Sequence, residues 1–179
     1  MIFNLVTLVA IILIILVLQP FFTVKTQTAV IIERFSKFAR VVQPGLHVKI
    51  PLIERIATRV SMQVQQLDFQ VETKTKDNVT VTPTVRVQYS VLPDEIATSY
   101  YKLENPRIQI QAYVNDALLT EIPGMTLDDT FSLKDEIAQK VKQALDADMK
   151  EYGYNIVRTL ITEITMPPSV NRSLWFSFI

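Results

Sequence analysis

The sequence contains few residues whose types and spacing could support enzymatic chemistry. His47 is the only histidine among 179 residues, and there is no cysteine. This excludes thiol nucleophiles, disulfides, thiolate zinc sites and any metal site that needs two histidines. A serine hydrolase would have only His47 as its base, and no motif supplies the nucleophile or the orienting acid. His47 follows the Pro44-Gly45 turn and enters a predicted strand, which favours a structural role.

The remaining candidates for a chemical site are carboxylates and glycines. Asp128 and Asp129 could form an acid pair or part of a metal site. They follow Thr126 at a predicted helix start, however, where acidic residues cap the helix and interact favourably with its dipole. The three glycines form no phosphate-binding loop. We therefore predict no enzymatic activity, no catalytic, cofactor-binding or metal-binding residue, and no cofactor.

The charge composition bears on the expected partners. The chain has 18 basic and 18 acidic residues, so its formal net charge is zero. A nucleic-acid-binding domain normally carries a basic patch and a basic overall balance. Nucleic acid is therefore not an expected partner.

An apolar segment at the N-terminus indicates a membrane anchor. Residues 2–18 read IFNLVTLVAIILIILVL, with Asn4 and Thr7 as the only polar side chains. A helix of this segment extended by four residues would be about 32 Å long, against a bilayer hydrocarbon core of roughly 30 Å. No basic residue precedes the segment and no small-residue cleavage site follows it, which favours an uncleaved anchor over a signal peptide. We assign residues 1–23 to a transmembrane anchor.

The orientation of this anchor follows from its flanking charges. The nearest basic residues all lie after the segment; they are Lys25, Arg34, Lys37 and Arg40. The positive-inside rule therefore places the rest of the chain on the cytoplasmic face of the membrane. A hairpin insertion that turns at Pro20 and leaves both ends on that face is the alternative to a single pass.

Alternating apolar and polar residues predict strands in the first part of the remaining chain. Period-two patterns occur at 24–35, 60–71 and 79–91, and the Pro44-Gly45 turn between two short apolar runs predicts an early antiparallel pair. Within 60–71 the apolar parity changes near Gln65, which predicts a β-bulge.

Helical patterns follow the strands. One helix is predicted to start at Pro93, one has an apolar face from Ile110 to Leu118, and one opens at Ser132 with an apolar stripe from Ile137 to Tyr152. A last strand covers 154–166. This order predicts an α+β fold with a largely antiparallel sheet. We assign it to one domain, residues 24–168, followed by a short apolar tail, residues 169–179.

Six short motifs suggest a family. They are PGLH at 44–47, VQQLD at 64–68, VETKTKDNV at 71–79, YYKL at 100–103, QIQAYV at 109–114 and EYGY at 151–154. With these motifs the chain resembles the SPFH or band 7 superfamily of stomatins, prohibitins and flotillins, from about residue 26 to residue 173. Within that superfamily it is most similar to plant hypersensitive-induced-response proteins and bacterial stomatin-like proteins.

The resemblance implies both a fold and a function. The fold is an SPFH domain, a twisted antiparallel sheet flanked by helices that sits on a membrane. The function is that of a membrane-anchored oligomeric scaffold, which organises membrane microdomains and modulates membrane proteins without being an enzyme. The expected partners are membrane lipids, further copies of the chain, and a membrane protease or channel. The alternative function is regulation of a membrane-bound protease. Assembly would use a sheet edge and the stripe from Ile137 to Tyr152, although such a stripe is more often core.

Two features depart from the family pattern. The chain begins Met1-Ile2 instead of Met-Gly, so it cannot be myristoylated, and the apolar segment would supply the anchor. The family continues into a C-terminal coiled coil, whereas residues 171–179 read NRSLWFSFI and contain no heptads. We expect a copy truncated or frameshifted before the coiled coil. The alternative is an apolar tail that contacts the membrane or a neighbouring subunit.

Overall fold

The computed structural model describes residues 21–166 together with Thr7. Apart from Thr7 and residues 21–23, the predicted anchor lies outside the described residues, and it stays a prediction. The tail, residues 169–179, lies outside them entirely, so its expected truncation also stays a prediction. In the part of the chain that is described, no helix has the length and apolar character needed to cross a membrane. The chain divides into two compact units, residues 1–63 and residues 64–179; the assignment of residues 24–168 to one domain stays a prediction.

The described part of the first unit consists of short antiparallel strands. They are β1 Phe21–Val24, β2 Thr28–Arg34, β3 Lys37–Val42, β4 Gly45–Val48 and β5 Glu54–Ser61. β1 pairs with β4, and a three-stranded sheet has the order β3-β2-β5. β1 begins at Phe21, three residues inside the segment assigned to the anchor.

β2 is the centre of the first unit. Its residues from Ala29 to Ile32 are all fully buried, so this strand is a continuous apolar run, as expected where both faces of a strand are covered. On one face, Val30 and Ile32 pack with Val24 and Val42. The residues at the ends of β2 are therefore held by a rigid strand.

The second unit combines a sheet with helices. Its strands are β6 Gln65–Gln70, β7 Thr73–Lys74, β8 Thr80–Val91 and β9 Tyr154–Thr165, and its α-helices are α1 Ile96–Tyr101, α2 Pro106–Glu121, α3 Leu127–Ser132 and α4 Lys134–Glu151. β8 pairs antiparallel with β6, β7 and β9, and its residues alternate strictly between buried and partly exposed. α4 packs on β9 and on α2.

These elements confirm the α+β fold class with antiparallel sheets. The apolar stripe of α4 is core, because Ile137, Val141, Leu145 and Met149 are all buried. These four side chains are therefore not available for contacts between copies.

Three local predictions were wrong. The parity change near Gln65 is not a bulge, because β5 ends at Ser61 and β6 begins a new strand in the second unit. The Pro44-Gly45 turn does not join a hairpin, because β4 pairs with β1 and β3 pairs with β2. The helix expected to open at Ser132 begins at Lys134, because Ser132 is the last residue of the separate helix α3.

Candidate functional site

The turn between β2 and β3 holds an aromatic side chain in a strained and exposed position. Phe35 and Ser36 have φ values of 49° and 61°, as in the two-residue type I′ turns that favour Asn and Gly. A residue with a Cβ atom loses roughly 1–2 kcal/mol in this left-handed region. The Phe35 side chain is also 75% exposed, so packing of its ring does little to offset that cost.

The loop between β4 and β5 shows the same combination. Leu52 has a φ of 69° and is 98% exposed. The backbone N–H of Phe35 donates to the carbonyl oxygen of Ile53 at 3.4 Å, so this loop lies beside the β2–β3 turn. Backbone strain tends to occur where function requires it. Two such positions therefore mark this end of the first unit as a candidate site.

We call this region the tip surface. It comprises exposed apolar residues and the exposed cations next to them: Phe35, Phe38, Ile50, Leu52, Ile53, Arg34, Lys37 and Arg40. Single exposed apolar residues are common on soluble proteins, whereas a group rimmed by polar residues indicates contact with a partner or a membrane.

Strand register places the cations of the tip surface together. Arg34 lies opposite Lys37 across the β2–β3 pair, and Arg40 lies opposite Ile32. Residues directly opposite each other share a face of the sheet, and so do residues two apart along a strand. Ile32 and Arg34 are two apart on β2, and the β2–β3 register shifts between Ile32 and Glu33. Lys37 and Arg40 therefore lie on the same face as Arg34, although they are three apart on β3. Glu54, which is opposite Arg34 in the β2–β5 pair, shares it.

Glu54 holds this face together. Its side chain is fully buried and accepts hydrogen bonds from Arg34 Nη2 at 2.9 Å, from Arg40 Nη1 and Nη2 at 3.3 and 3.2 Å, and from the Ile50 backbone N–H at 3.0 Å. The pKa of Glu54 is lowered from its ordinary value, first by the Arg34 hydrogen bond and then by the Ile50 N–H. A buried charge needs this degree of pairing to be tolerated.

An open pocket lies next to the β2–β3 turn. It has a volume of about 480 Å³ and is lined by Arg34, Phe35, Lys37, Phe38, Ala39 and Arg40. The pocket is therefore both cationic and aromatic, and it belongs entirely to the first unit.

His47 and Asp129, two of the residues that the sequence offered for chemistry, make local contacts in the fold. His47 Nε2 lies 2.9 Å from the Gln43 carbonyl oxygen, and the His47 ring is 6.0 Å from that of Phe22. Thr126 and Asp129 form a capping box at the start of α3, as the capping interpretation predicted. The hydrogen bond from the Thr126 hydroxyl is the largest cause that lowers the pKa of Asp129. In residues 21–166 no group of three or more His, Asp or Glu side chains could hold a metal.

Sequence reasoning missed the tip surface. The segment Arg34-Phe35-Ser36-Lys37-Phe38 alternates basic and aromatic residues around a turn that lacks glycine. Its first two residues, Arg34 and Phe35, were assigned to a longer predicted strand at 24–35, so the exposure of this turn could not be inferred from periodicity.

Comparisons with known proteins agree on one family. The model of the SPFH domain / Band 7 family matches residues 22–175. Hypersensitive-induced response protein 4 of Arabidopsis thaliana is 39% identical over 145 residues, which is 80% of this chain and 50% of that protein. Mitochondrial stomatin-like protein 2 of Rattus norvegicus is 27% identical over 152 residues, 84% of this chain and 42% of that protein. An uncharacterized protein of Mycobacterium tuberculosis is 26% identical over 147 residues, 82% of this chain and 38% of that protein. The chain thus spans half or less of the length of these relatives.

Proposed function

The chain belongs to the SPFH domain / Band 7 family, and we propose that it is a membrane-anchored scaffold that self-associates at the bilayer surface. Members of this family are membrane-associated scaffolds and regulators. For this chain, the anchor, the self-association, the cytoplasmic orientation and the organisation of membrane microdomains are all parts of the proposal.

The tip surface is the observation that carries the proposal. Its exposed apolar residues would gain roughly 1.5–3 kcal/mol each if their side chains left water completely. Its cations would each add about 1 kcal/mol near an anionic leaflet. Phe35 and Leu52 combine the largest exposure with backbone strain, so they are the side chains expected to enter the bilayer.

The position of β1 supports the same orientation. The apolar run of residues 2–18 ends shortly before β1 begins. Phe21, the first residue of β1, lies opposite Val48, and the Val48 carbonyl oxygen accepts a hydrogen bond from Arg40 Nη2 at 2.9 Å. A membrane-inserted N-terminal segment would therefore enter the first unit next to the cations of the tip surface.

Self-association has a candidate edge in the second unit. β9 is 12 residues long and pairs with β8 on one side. Within residues 21–166 no strand pairs with its other side. Long strand edges with unpaired N–H and C=O groups are templates for pairing with another chain, so β9 is the edge that we assign to contacts between copies.

The membrane part of the proposal can be tested with single-cysteine labels, because the chain has no cysteine of its own. The full-length chain carrying Phe35→Cys or Leu52→Cys would be labelled with an environment-sensitive fluorophore and reconstituted into phosphatidylcholine vesicles that contain nitroxide lipids. Ile108→Cys provides the matched control, since Ile108 is an apolar residue of the second unit that is 65% exposed.

We expect quenching and a blue-shifted emission at positions 35 and 52, and neither at position 108. Labels at 35 and 52 that respond like free dye in buffer would refute contact between the tip surface and the bilayer. Cross-linking in the same vesicles tests the scaffold: only monomers at high protein density would refute self-association. Recovery of a membrane protease or channel as a stoichiometric partner, without self-copies, would favour the alternative of a protease regulator.

A further inference from the structure

We propose that the pocket beside the β2–β3 turn binds the phosphate of an anionic phospholipid headgroup. This inference rests on the proposed function, because it requires the tip surface to lie at the bilayer, and it specifies the lipid class recognised there. The pocket volume of about 480 Å³ falls within the roughly 300–1,000 Å³ of small-molecule sites.

Charge is the first argument for an anionic occupant. Arg34, Lys37 and Arg40 line the pocket on one face of the sheet, and both arginines pair with the single carboxylate of Glu54. Among residues 21–166, no carboxylate lies within ion-pair distance of Lys37. The face therefore keeps an excess of positive charge that an anion would balance.

The orientation of the guanidinium groups is the second argument. Glu54 fixes Arg34 through Nη2 alone, so the Nε and Nη1 groups of Arg34 make no hydrogen bond within the described chain. The side chains of Arg34 and Arg40 are 50% and 44% exposed, which leaves them accessible to an outside acceptor. A guanidinium held in place by one hydrogen bond presents its remaining N–H groups in fixed directions, as charge-assisted donors to phosphate oxygens.

The apolar wall of the pocket distinguishes a lipid from a soluble phosphate. Phe35 and Phe38 line the pocket together with the cations, and Phe35 is the most exposed aromatic side chain among residues 21–63. A free phosphate would gain nothing from these rings. A phospholipid places its phosphate next to apolar chains, so one molecule would satisfy both the cations and the aromatic side chains.

The test uses the full-length chain in non-ionic detergent micelles and isothermal titration calorimetry. The ligands are dihexanoyl phosphatidylglycerol, dihexanoyl phosphatidylcholine and inorganic phosphate. Lys37→Gln removes the cation without an ion pair, and Lys25→Gln is the matched control, because Lys25 is exposed in the same unit and does not line the pocket. Arg34→Lys keeps the charge but loses the fixed set of guanidinium donors.

We expect phosphatidylglycerol to bind more tightly than the other two ligands. Lys37→Gln should weaken it about five- to tenfold, as for loss of one partly exposed charge-assisted hydrogen bond. Lys25→Gln should change the affinity less than about twofold, and Arg34→Lys should lower it about threefold. Circular dichroism would check that each variant is folded.

Three results would overturn the proposal. The first is that Lys37→Gln and Lys25→Gln weaken phosphatidylglycerol binding equally, which would indicate non-specific electrostatic attraction instead of a site. The second is equal affinity for inorganic phosphate and phosphatidylglycerol, which would indicate a soluble anion. The third is an unchanged affinity in Arg34→Lys. None of these would affect the label quenching in phosphatidylcholine vesicles, so failure of this inference is distinguishable from failure of the proposed function.

Discussion

Replacing Glu54 by glutamine should loosen the first unit selectively. The two carboxylate oxygens of Glu54 each accept two hydrogen bonds. Oε1 accepts from Arg34 Nη2 and Arg40 Nη1, whereas Oε2 accepts from Arg40 Nη2 and the Ile50 N–H. In Glu54→Gln one oxygen becomes an NH2 group. Whichever oxygen is replaced, two N–H donors then face another donor.

The magnitude follows from these lost contacts. Hydrogen bonds to a charged group contribute about 1.5–3 kcal/mol each, and two are lost. The arginine side chains are about half exposed, so water recovers part of that free energy. We expect Glu54→Gln to lower the local opening free energy by about 2–3 kcal/mol, below the 3–5 kcal/mol typical of a fully buried pair that loses one partner.

Hydrogen–deuterium exchange of the full-length chain in detergent measures this change strand by strand. Amides of β2 and β5 should lose about 30- to 150-fold in protection at pH 7, while β8 and β9 of the second unit serve as the internal reference. Asp68→Asn is the matched control, since Asp68 forms an exposed pair with Arg86 at 2.9 Å and exposed pairs contribute little.

The effect should also depend on pH. The pKa of Glu54 is lowered in the folded state from its ordinary value of 4.5. A lowered pKa adds stability that is complete above the ordinary value and is lost as the pH falls through the folded-state pKa. The difference in local opening free energy between the native chain and Glu54→Gln should therefore become smaller below about pH 4.5. Unchanged protection of β2 and β5 at pH 7, or an equal effect of Asp68→Asn, would refute this account of the cluster.

Three further variants, two single and one double, test other parts of the structure. Gly153→Ala should destabilise the second unit by about 2 kcal/mol or more in urea denaturation. The reason is that Gly153 has a φ of 79° and a Cβ atom there would lie 2.7 Å from a backbone oxygen. Gly124→Ala is the control and should destabilise much less, because a Cβ atom at position 124 would meet nothing within 4 Å. Thr126→Ala should cost about 1 kcal/mol through loss of the cap of α3, and unchanged exchange at the start of α3 would contradict this. The double change Phe35→Asn with Ser36→Gly should stabilise the β2–β3 turn by about 1 kcal/mol and reduce the quenching of a label at position 52 in vesicles. If the turn became more stable and the quenching also increased, the role given to Phe35 would be contradicted.

The parts of the fold that sequence predicted well have long, regular patterns. β8 alternates over 12 residues, and the stripe of α4 repeats over several turns, so a few misplaced residues do not change the interpretation. Gly153 follows the end of α4, and its φ of 79° is the left-handed conformation in which a glycine commonly ends a helix.

The parts that were missed depend on tertiary pairing or on unusual turn residues. The first unit is built from strands of four to eight residues, which are too short for periodicity to identify their partners. From the sequence, β1 and β3 are equally plausible apolar partners for β4, so the pairing of β4 with β1 could not be predicted. The β2–β3 turn was missed because Phe35 and Ser36 are poor residues for a type I′ turn.

That last failure has a physical explanation that links the fold to the proposed function. Local sequence and global fold normally agree, and they disagree mainly where function requires it. Four described non-glycine residues of the first unit have left-handed backbones; Phe35, Ser36 and Leu52 lie in the turn and loop of the tip surface, whereas Gln27 lies between β1 and β2. Phe35 and Leu52 are the apolar ones among them, and both face water. An Asn-Gly turn would fold more easily, but it would present no apolar side chain. This cost in stability is offset if the two apolar side chains leave water when the first unit meets a bilayer. A variant that removes the backbone strain of the turn, such as Phe35→Asn with Ser36→Gly, should therefore also weaken the contact with the membrane.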